Sequence, residues 1–155
     1  YKHVKYGGGN AKAYLDFIVN TLKPKIDREY RTKSNGQNTM MMGSSLGGLT
    51  TLYALLAYPK TFGKAAIFSP AFWFNRNEIV NMLKQTDDFK AKVYFMHGDN
   101  EGDPDMEPDM NQIEHLINTK RCECKKLNKK VIVKGGQHNE KLWRDGFVKA
   151  YLWLN

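Results

Sequence analysis

The sequence predicts an α/β fold in three layers, in which a mostly parallel sheet is covered by helices on both faces. Short apolar runs that fit strands alternate along the chain with longer segments whose apolar residues recur at helical spacing. The strand candidates are apolar throughout, which is typical of strands buried on both faces. Such alternation favours right-handed crossovers between parallel strands.

The first predicted elements are a helix and a strand. The apolar residues of this helix are Tyr14, Phe17, Ile18 and Leu22. Pro24 is expected to break or kink the helix, because proline cannot complete the helical hydrogen bonds. A Ser-Asn-Gly turn at residues 34–36 precedes an apolar run at residues 39–42, which predicts a buried strand.

Helices and strands then alternate to the end of the chain. The next helix has an apolar face of Leu49, Leu52, Tyr53 and Leu56 and ends before Pro59. The later strands are predicted at residues 65–68, 93–96 and 131–133. The later helices are predicted at residues 77–84, around Met106, Met110, Ile113 and Ile117, and around Trp143, Phe147, Ala150, Tyr151 and Leu154.

The segment Gly43-Ser44-Ser45-Leu46-Gly47 matches the pattern G-x-S-x-G between a predicted strand and a predicted helix. In that context the pattern predicts a sharp, strained turn that exposes the hydroxyl of Ser45 as a nucleophile. Side chains at Gly43 and Gly47 are expected to crowd the turn. The N–H of Leu46, at the start of the helix, is the candidate oxyanion donor. A glycine-rich connection without chemistry is the alternative.

A serine nucleophile needs a general base, and the base needs an acid that orients it. After such a turn the acid and then the histidine follow in chain order, each beyond a strand. His138, in a glycine loop after the last predicted strand, is the predicted base. His97, at a strand end, is expected to line the site or to form a hydrogen bond nearby. The acid candidates share one loop and are Asp99, Glu101, Asp103 and Asp105.

Composition limits the other classes of function. The chain has 155 residues, 41% of them hydrophobic and 26% charged, which fits a single globular domain over residues 1–155. No apolar run could span a bilayer, so we expect a soluble protein without a membrane partner. The compartment, cytoplasmic or periplasmic and secreted, stays open.

The net charge of +8 does not by itself indicate a nucleic-acid binder. The densest basic stretch, residues 120–130, lacks the interleaved aromatic residues that stack on bases, so we expect no nucleic-acid partner. Cys122 and Cys124 are too close for an easy disulfide. They also lack further ligands at metal-binding spacing, and the acidic loop lacks the spacing of a calcium loop. We therefore predict neither a metal nor another cofactor.

Several segments together resemble the "putative esterase" (esterase D-like) family of α/β-hydrolases, which includes enterochelin esterases, feruloyl esterases and S-formylglutathione hydrolases. The segments are residues 42–49, 58–59, 62–63, 68–73 and 136–140 with Trp143. The resemblance implies a carboxylic-ester hydrolase with a small-molecule ester substrate. Relatives carry the acid as Gly-x-x-Asp or Gly-x-x-Glu after a strand, which Gly98 and Glu101 match. Glu101 is thus the implied acid of a triad with Ser45 and His138.

The family resemblance implies an acyl-enzyme mechanism on carbohydrate-linked, feruloyl or siderophore esters. Phe72, Trp73 and Phe74 follow a strand end and either line the substrate pocket or pack in the core. Acyl transfer or thioester hydrolysis by the same triad remains an alternative. So does a non-catalytic binding module that retains the hydrolase fold.

The resemblance also implies an incomplete sheet. Family members have eight strands and the nucleophile follows the fifth, whereas here it follows the first predicted strand. We therefore expect residues 1–155 to be the C-terminal half of the fold, truncated at its N-terminal side. The missing N-terminal half, or another chain that completes the sheet, would supply the second oxyanion N–H.

Overall fold

Four parallel strands form one sheet in the order β1-β2-β3-β4 in a computed structural model that describes residues 9–121 and 127–155. The strands are β1 (Met40–Ser44), β2 (Lys64–Phe68), β3 (Lys92–Gly98) and β4 (Asn128–Val133). All four predicted strands are present, and each is somewhat longer than its apolar run. The predicted α/β class with a parallel sheet is confirmed.

Six α-helices surround the sheet in the described residues. They are α1 (Ala11–Phe17), α2 (Lys23–Glu29), α3 (Leu46–Ala57), α4 (Phe72–Gln85), α5 (Met106–Thr119) and α6 (Glu140–Leu154). Alternate residues of β3 enter two separate cores. Val93 and Phe95 pack with buried residues of α1, α3, α4 and α5, whereas Tyr94 and Met96 pack with α6. The sheet is therefore the middle one of three layers, as predicted.

The register of the strands aligns their carboxyl ends. Ser44 lies beside Phe68, Phe68 lies beside Met96, and Met96 lies beside Val131. Because all four strands run in the same direction, the loops that follow them meet at one edge of the sheet. Open α/β sheets bind their ligands outside this edge.

Pro24 changes the first helix without ending it. A π-helical turn, Ile18–Leu22, joins α1 to α2, and Pro24 lies in the first turn of α2. The N–H of Lys23 donates to the carbonyl of Ile18, five residues earlier. Proline clashes with the carbonyl four residues before it, and a wider turn accommodates it. The expected interruption is thus a π-turn rather than a break.

Helix α4 begins at Phe72, before the predicted start at residue 77, and contains a kink at Asn75 (φ −157°, ψ 46°). Apolar periodicity cannot run through such a kink, which is why the sequence predicts only the later part of this helix.

The cysteines Cys122 and Cys124 lie outside the described residues.

Candidate active site

Ser45 occupies a strained turn between β1 and α3. Its φ of 54° is positive, a conformation that costs energy for any residue except glycine. Three backbone hydrogen bonds hold it there. The Ser45 N–H donates to the Phe68 carbonyl (3.0 Å), and the Ser45 carbonyl accepts from Ala71 (3.0 Å) and Leu49 (3.1 Å). The predicted strand–turn–helix setting is therefore present.

The two glycines of the turn have different roles. A Cβ at Gly43 would collide with the backbone of Gly47 and lie 2.7 Å from Oγ1 of Thr51. A Cβ at Gly47 would meet no other atom within 4 Å in the described structure. The expectation of crowding is right for Gly43 and wrong for Gly47, because the end of β1 faces the first turn of α3 while Gly47 faces outward.

The structure brings Ser45, His138 and Glu101 together from the loops after β1, β4 and β3. Nε2 of His138 lies 3.0 Å from Oγ of Ser45, and Nδ1 lies 2.8 Å from Oε2 of Glu101. The side chain of His138 is 35% exposed, whereas that of Glu101 is 1% exposed. A serine, an imidazole and a buried carboxylate thus form one hydrogen-bonded row. This is the geometry of a serine nucleophile that is activated by a general base, which in turn is oriented by an acid.

Glu101 is surrounded by donors. Besides His138, the N–H of Gly98 (2.6 Å) and the hydroxyl of Ser69 (2.7 Å) both bond to its Oε1. A buried carboxylate is costly unless hydrogen bonds replace its water, and these contacts do so. Asp99 instead accepts a hydrogen bond from the N–H of Gly135 at 2.6 Å.

Ser69 and Trp143 join this group, although no sequence motif predicted a role for either of them. Nε1 of Trp143 donates to Oγ of Ser69 at 2.9 Å, and the indole meets the ring of His138 edge-on, with centroids 5.0 Å apart. Ser69 is fully buried and has a positive φ of 42°. The only signal in the sequence was their place in the segments that carry the family resemblance.

The match to known proteins agrees with this geometry. The sequence model of a family described as "Putative esterase" matches residues 1–154. The chain belongs to this esterase family. An uncharacterized protein of Bacillus subtilis, YbbA, is 30% identical over an alignment of 155 residues, covering 95% of this chain and 61% of the relative. The ferri-bacillibactin esterase BesA of the same organism is 38% identical over 81 residues, 52% of this chain and 26% of the relative.

Solved structures of esterases have the same fold. The enterobactin esterase FES from Shigella flexneri superposes with a TM-score of 0.73 at 21% identity, covering 88% of this chain and 36% of that chain. The α/β-hydrolase fold predicted from the resemblance is thereby confirmed. The esterase-family chain spans only part of the length of these relatives.

The candidate oxyanion donor in this esterase-family chain is the N–H of Leu46. Helix α3 begins at Leu46, so this N–H has no partner within the helix and lies at the positive end of the helix dipole. His97, in contrast, does not join the row. It is 2% exposed, and its Nδ1 lies 3.0 Å from the carbonyl oxygen of Gly98.

A cavity of about 930 Å³ opens beside the turn, and its lining includes Leu46, Trp73 and Phe74. Two of the three aromatic residues therefore line this cavity, and its assignment to the substrate stays a prediction. Phe72 does not, since it is only 2% exposed and packs in the core on the α4 side of the sheet. Of the two alternatives left open for Phe72, core packing is the one found, because the first turn of α4 directs this side chain inward.

Within residues 9–121 and 127–155, no group of three or more His, Cys, Asp or Glu side chains is arranged to hold a metal ion. No helix in the same part of the chain is long and apolar enough to cross a membrane.

Proposed function

We propose that this protein is a serine carboxylic-ester hydrolase that works through an acyl-enzyme on Ser45. The row from Ser45 Oγ through His138 to Glu101, with distances of 3.0 and 2.8 Å, is the observation that carries the proposal. Membership of the esterase family supports it independently. A binding module has no need of a strained serine, a base and a buried carboxylate in contact with each other.

In the acylation half-reaction, Oγ of Ser45 attacks the ester carbonyl carbon while its proton passes to Nε2 of His138. Glu101 stabilises the imidazolium, and the Leu46 N–H stabilises the negative oxygen. The tetrahedral intermediate then collapses. The bond to the alkoxy oxygen breaks, the alcohol leaves with the proton from Nε2, and an ester of Ser45 remains.

In the deacylation half-reaction, water attacks the acyl carbon and gives a proton to Nε2 of His138. The same N–H of Leu46 stabilises the second oxyanion. The bond to Ser45 Oγ breaks, Oγ takes the proton back, and the carboxylic acid is released. Each residue thus returns to its starting state, and the net reaction consumes one ester and one water.

For the substrate we propose a small-molecule ester of the siderophore class. Among the esters implied by the resemblance, this class is supported by the name of a curated relative, the ferri-bacillibactin esterase. Carbohydrate-linked and feruloyl esters, assayed in parallel, are the comparison substrates. Faster turnover of either than of a siderophore ester would contradict this choice.

We further propose that the active protein contains a segment that pairs beside β1. Within the described residues β1 pairs only with β2 and lies at the edge of the sheet. This chain covers 61% of the length of its Bacillus subtilis relative YbbA. An additional N-terminal half would cover the free edge of β1 and supply a second donor to the oxyanion. A second N–H donor to the oxyanion typically lowers the free energy of the transition state by about 2.7–4 kcal/mol.

The decisive variant is Ser45→Ala in the complete protein, with Ser44→Ala as the matched control. Hydrolysis of a p-nitrophenyl ester should fall by several orders of magnitude in Ser45→Ala, while Ser44→Ala keeps most of its activity. Equal melting temperatures would show that both variants fold. An unchanged rate in Ser45→Ala would rule out Ser45 as the nucleophile.

A further inference from the structure

We propose that Ser69 and Trp143 form a positioning pair, which determines how Glu101 and His138 are oriented toward Ser45. The inference rests on the proposed function, since it assigns a task within the same row of residues. In the described part of the chain, the side-chain hydrogen bonds of Ser69 and Trp143 go to Glu101 and to each other, and that of Ser45 goes to His138. Both act through Glu101 and His138, so they are positioning residues rather than catalytic ones.

The direction of the hydrogen bonds follows from the chemistry of each group. An indole N–H can only donate, so Ser69 Oγ accepts from Trp143 at 2.9 Å. The single proton of the Ser69 hydroxyl then points to Oε1 of Glu101 at 2.7 Å, because an ionised carboxylate can only accept. The indole N–H and the carboxylate therefore fix the hydroxyl together, which accepts from Trp143 and donates to Glu101.

This arrangement assigns different partners to the two carboxylate oxygens. Oε1 accepts from Ser69 and from the N–H of Gly98, at 2.7 and 2.6 Å. Oε2 faces Nδ1 of His138 at 2.8 Å. Nδ1 must then carry a proton, so in the neutral imidazole Nε2 is the bare acceptor. Nε2 is the nitrogen that faces Ser45, and only this tautomer can take the proton of Ser45.

Ser69 and Trp143 are themselves fixed in place, so they can hold the carboxylate of Glu101 in one orientation. Ser69 is fully buried, and its N–H donates to the Met96 carbonyl at 2.7 Å, which fixes the residue to the end of β3. Trp143 contacts the ring of His138 edge-on at an interplanar angle of 89°. One indole thus touches the base directly and the acid through Ser69.

Loss of the pair should weaken the orientation without removing the triad. In Ser69→Ala, Oε1 keeps only the Gly98 N–H, and the carboxylate can present either oxygen to His138. We expect kcat to fall roughly 10- to 100-fold, the range expected when a buried charged group loses one hydrogen bond. KM should stay within about twofold, since neither residue lines the cavity described above.

The kinetic experiment uses four variants of the complete protein: Ser69→Ala, Trp143→Phe, their double variant, and Trp153→Phe as the matched control. Trp153 lies on the same helix α6 and packs against Tyr94 instead. We expect kcat to fall in both single variants and to fall no further in the double variant, because Trp143→Phe keeps an aromatic ring beside His138 and removes only the N–H that bonds to Ser69. Values of kcat within twofold of the unaltered protein in both single variants, or additive losses in the double, would overturn the proposal.

A spectroscopic readout tests the pair independently of ester hydrolysis. In ¹H NMR spectra the Nδ1–H proton of His138 should resonate at the same downfield position in the unaltered protein and in Trp153→Phe. It should move upfield in Ser69→Ala, because a carboxylate that Ser69 no longer holds forms a weaker hydrogen bond to Nδ1. If Ser69→Ala does not fold, Trp143→Phe should show the same upfield shift, since its phenyl ring preserves packing. An unchanged Nδ1–H resonance in the folded variants would overturn the proposal. Absent ester hydrolysis by the unaltered protein would refute the proposed function instead.

Discussion

Asp99 accepts a hydrogen bond from the N–H of Gly135 at 2.6 Å, and this contact links the loop after β3 to the loop after β4. The Asn100 N–H also donates to the Gly136 carbonyl at 3.0 Å. The loop that carries Glu101 and the loop that carries His138 are thus fastened together. Two nearby carboxylates therefore have separate tasks, because Asp99 joins the loops and Glu101 contacts the imidazole.

The separation of tasks predicts different effects for two substitutions. Glu101→Gln should lower kcat by about a thousandfold or more, because an amide cannot hold the imidazole as a carboxylate does. Asp99→Ala should lower kcat by less than about tenfold and cost roughly 1 kcal/mol of unfolding free energy, the value of one hydrogen bond. Steady-state kinetics and urea denaturation measure both. If Asp99→Ala had the larger effect on kcat, Glu101 would not be the acid.

The glycines of the turn predict a second contrast. Gly43→Ala places a methyl group against the backbone of Gly47, and overpacking of this kind costs about 1–3 kcal/mol or more. Gly47→Ala meets open space in α3 and should stabilise the fold by roughly 0.5–1 kcal/mol, because alanine favours helices. Urea denaturation of the two variants gives both values. Equal losses of stability would show that Gly47 is as crowded as Gly43.

A third prediction concerns acid stability. Asp16 accepts from Lys12 and from the hydroxyl of Tyr58, and these two contacts lower the pKa of Asp16 below its ordinary value of 3.8. A lowered carboxyl pKa stabilises the fold above the ordinary value, and this stabilisation is lost as the pH falls through the lowered pKa. Tyr58→Phe should therefore be less stable than the unaltered protein at pH 6, with a smaller difference at pH 3.

Urea denaturation at the two pH values measures this difference, and Asp16→Asn is the control. Without the carboxylate, replacing Tyr58 should cost the same at pH 6 and at pH 3. A difference between the unaltered protein and Tyr58→Phe that grows toward pH 3 would contradict the assignment.

The strands and the row of three residues could be predicted because their signals are local. Ser45, Glu101 and His138 each follow an apolar run, and parallel strands bring such positions to one edge. Even Glu101 required the family resemblance, since Asp99 is two residues away in the same loop. The hydrogen bond from Gly135 to Asp99 shows that Asp99 has a different task from Glu101. It joins residues 36 positions apart, so no local pattern in the sequence predicts it.

The remaining features depend on contacts that no periodicity encodes. Ser69 and Trp143 are 74 positions apart and meet only because α6 packs beside the end of β2. Phe72 and Trp73 are adjacent in sequence, yet one is 2% exposed and the other 47%, because the first turn of α4 directs them to opposite sides. Whether Gly47 tolerates an alanine likewise depends on the direction in which a Cβ would point, and at this position it points away from other atoms.

A fourth prediction tests the proposed N-terminal segment. All five residues of β1 are partly exposed, including Met40 and Met42. Complete burial of one such methionine contributes roughly 1.5–3 kcal/mol, so a longer gene product should melt at a higher temperature than residues 1–155 alone. It should also hydrolyse esters faster. Equal melting temperatures and equal rates would contradict the proposal that a further segment completes the sheet.

An acyl-enzyme on Ser45 can be detected directly by locating the acyl group during turnover. The complete protein would be mixed with a p-nitrophenyl ester, quenched in acid within the first turnovers, digested and analysed by mass spectrometry. The proposed mechanism predicts an acyl group on Ser45 in the unaltered protein and none in Ser45→Ala. Steady hydrolysis with Ser45 unmodified and the acyl group on another residue would contradict it.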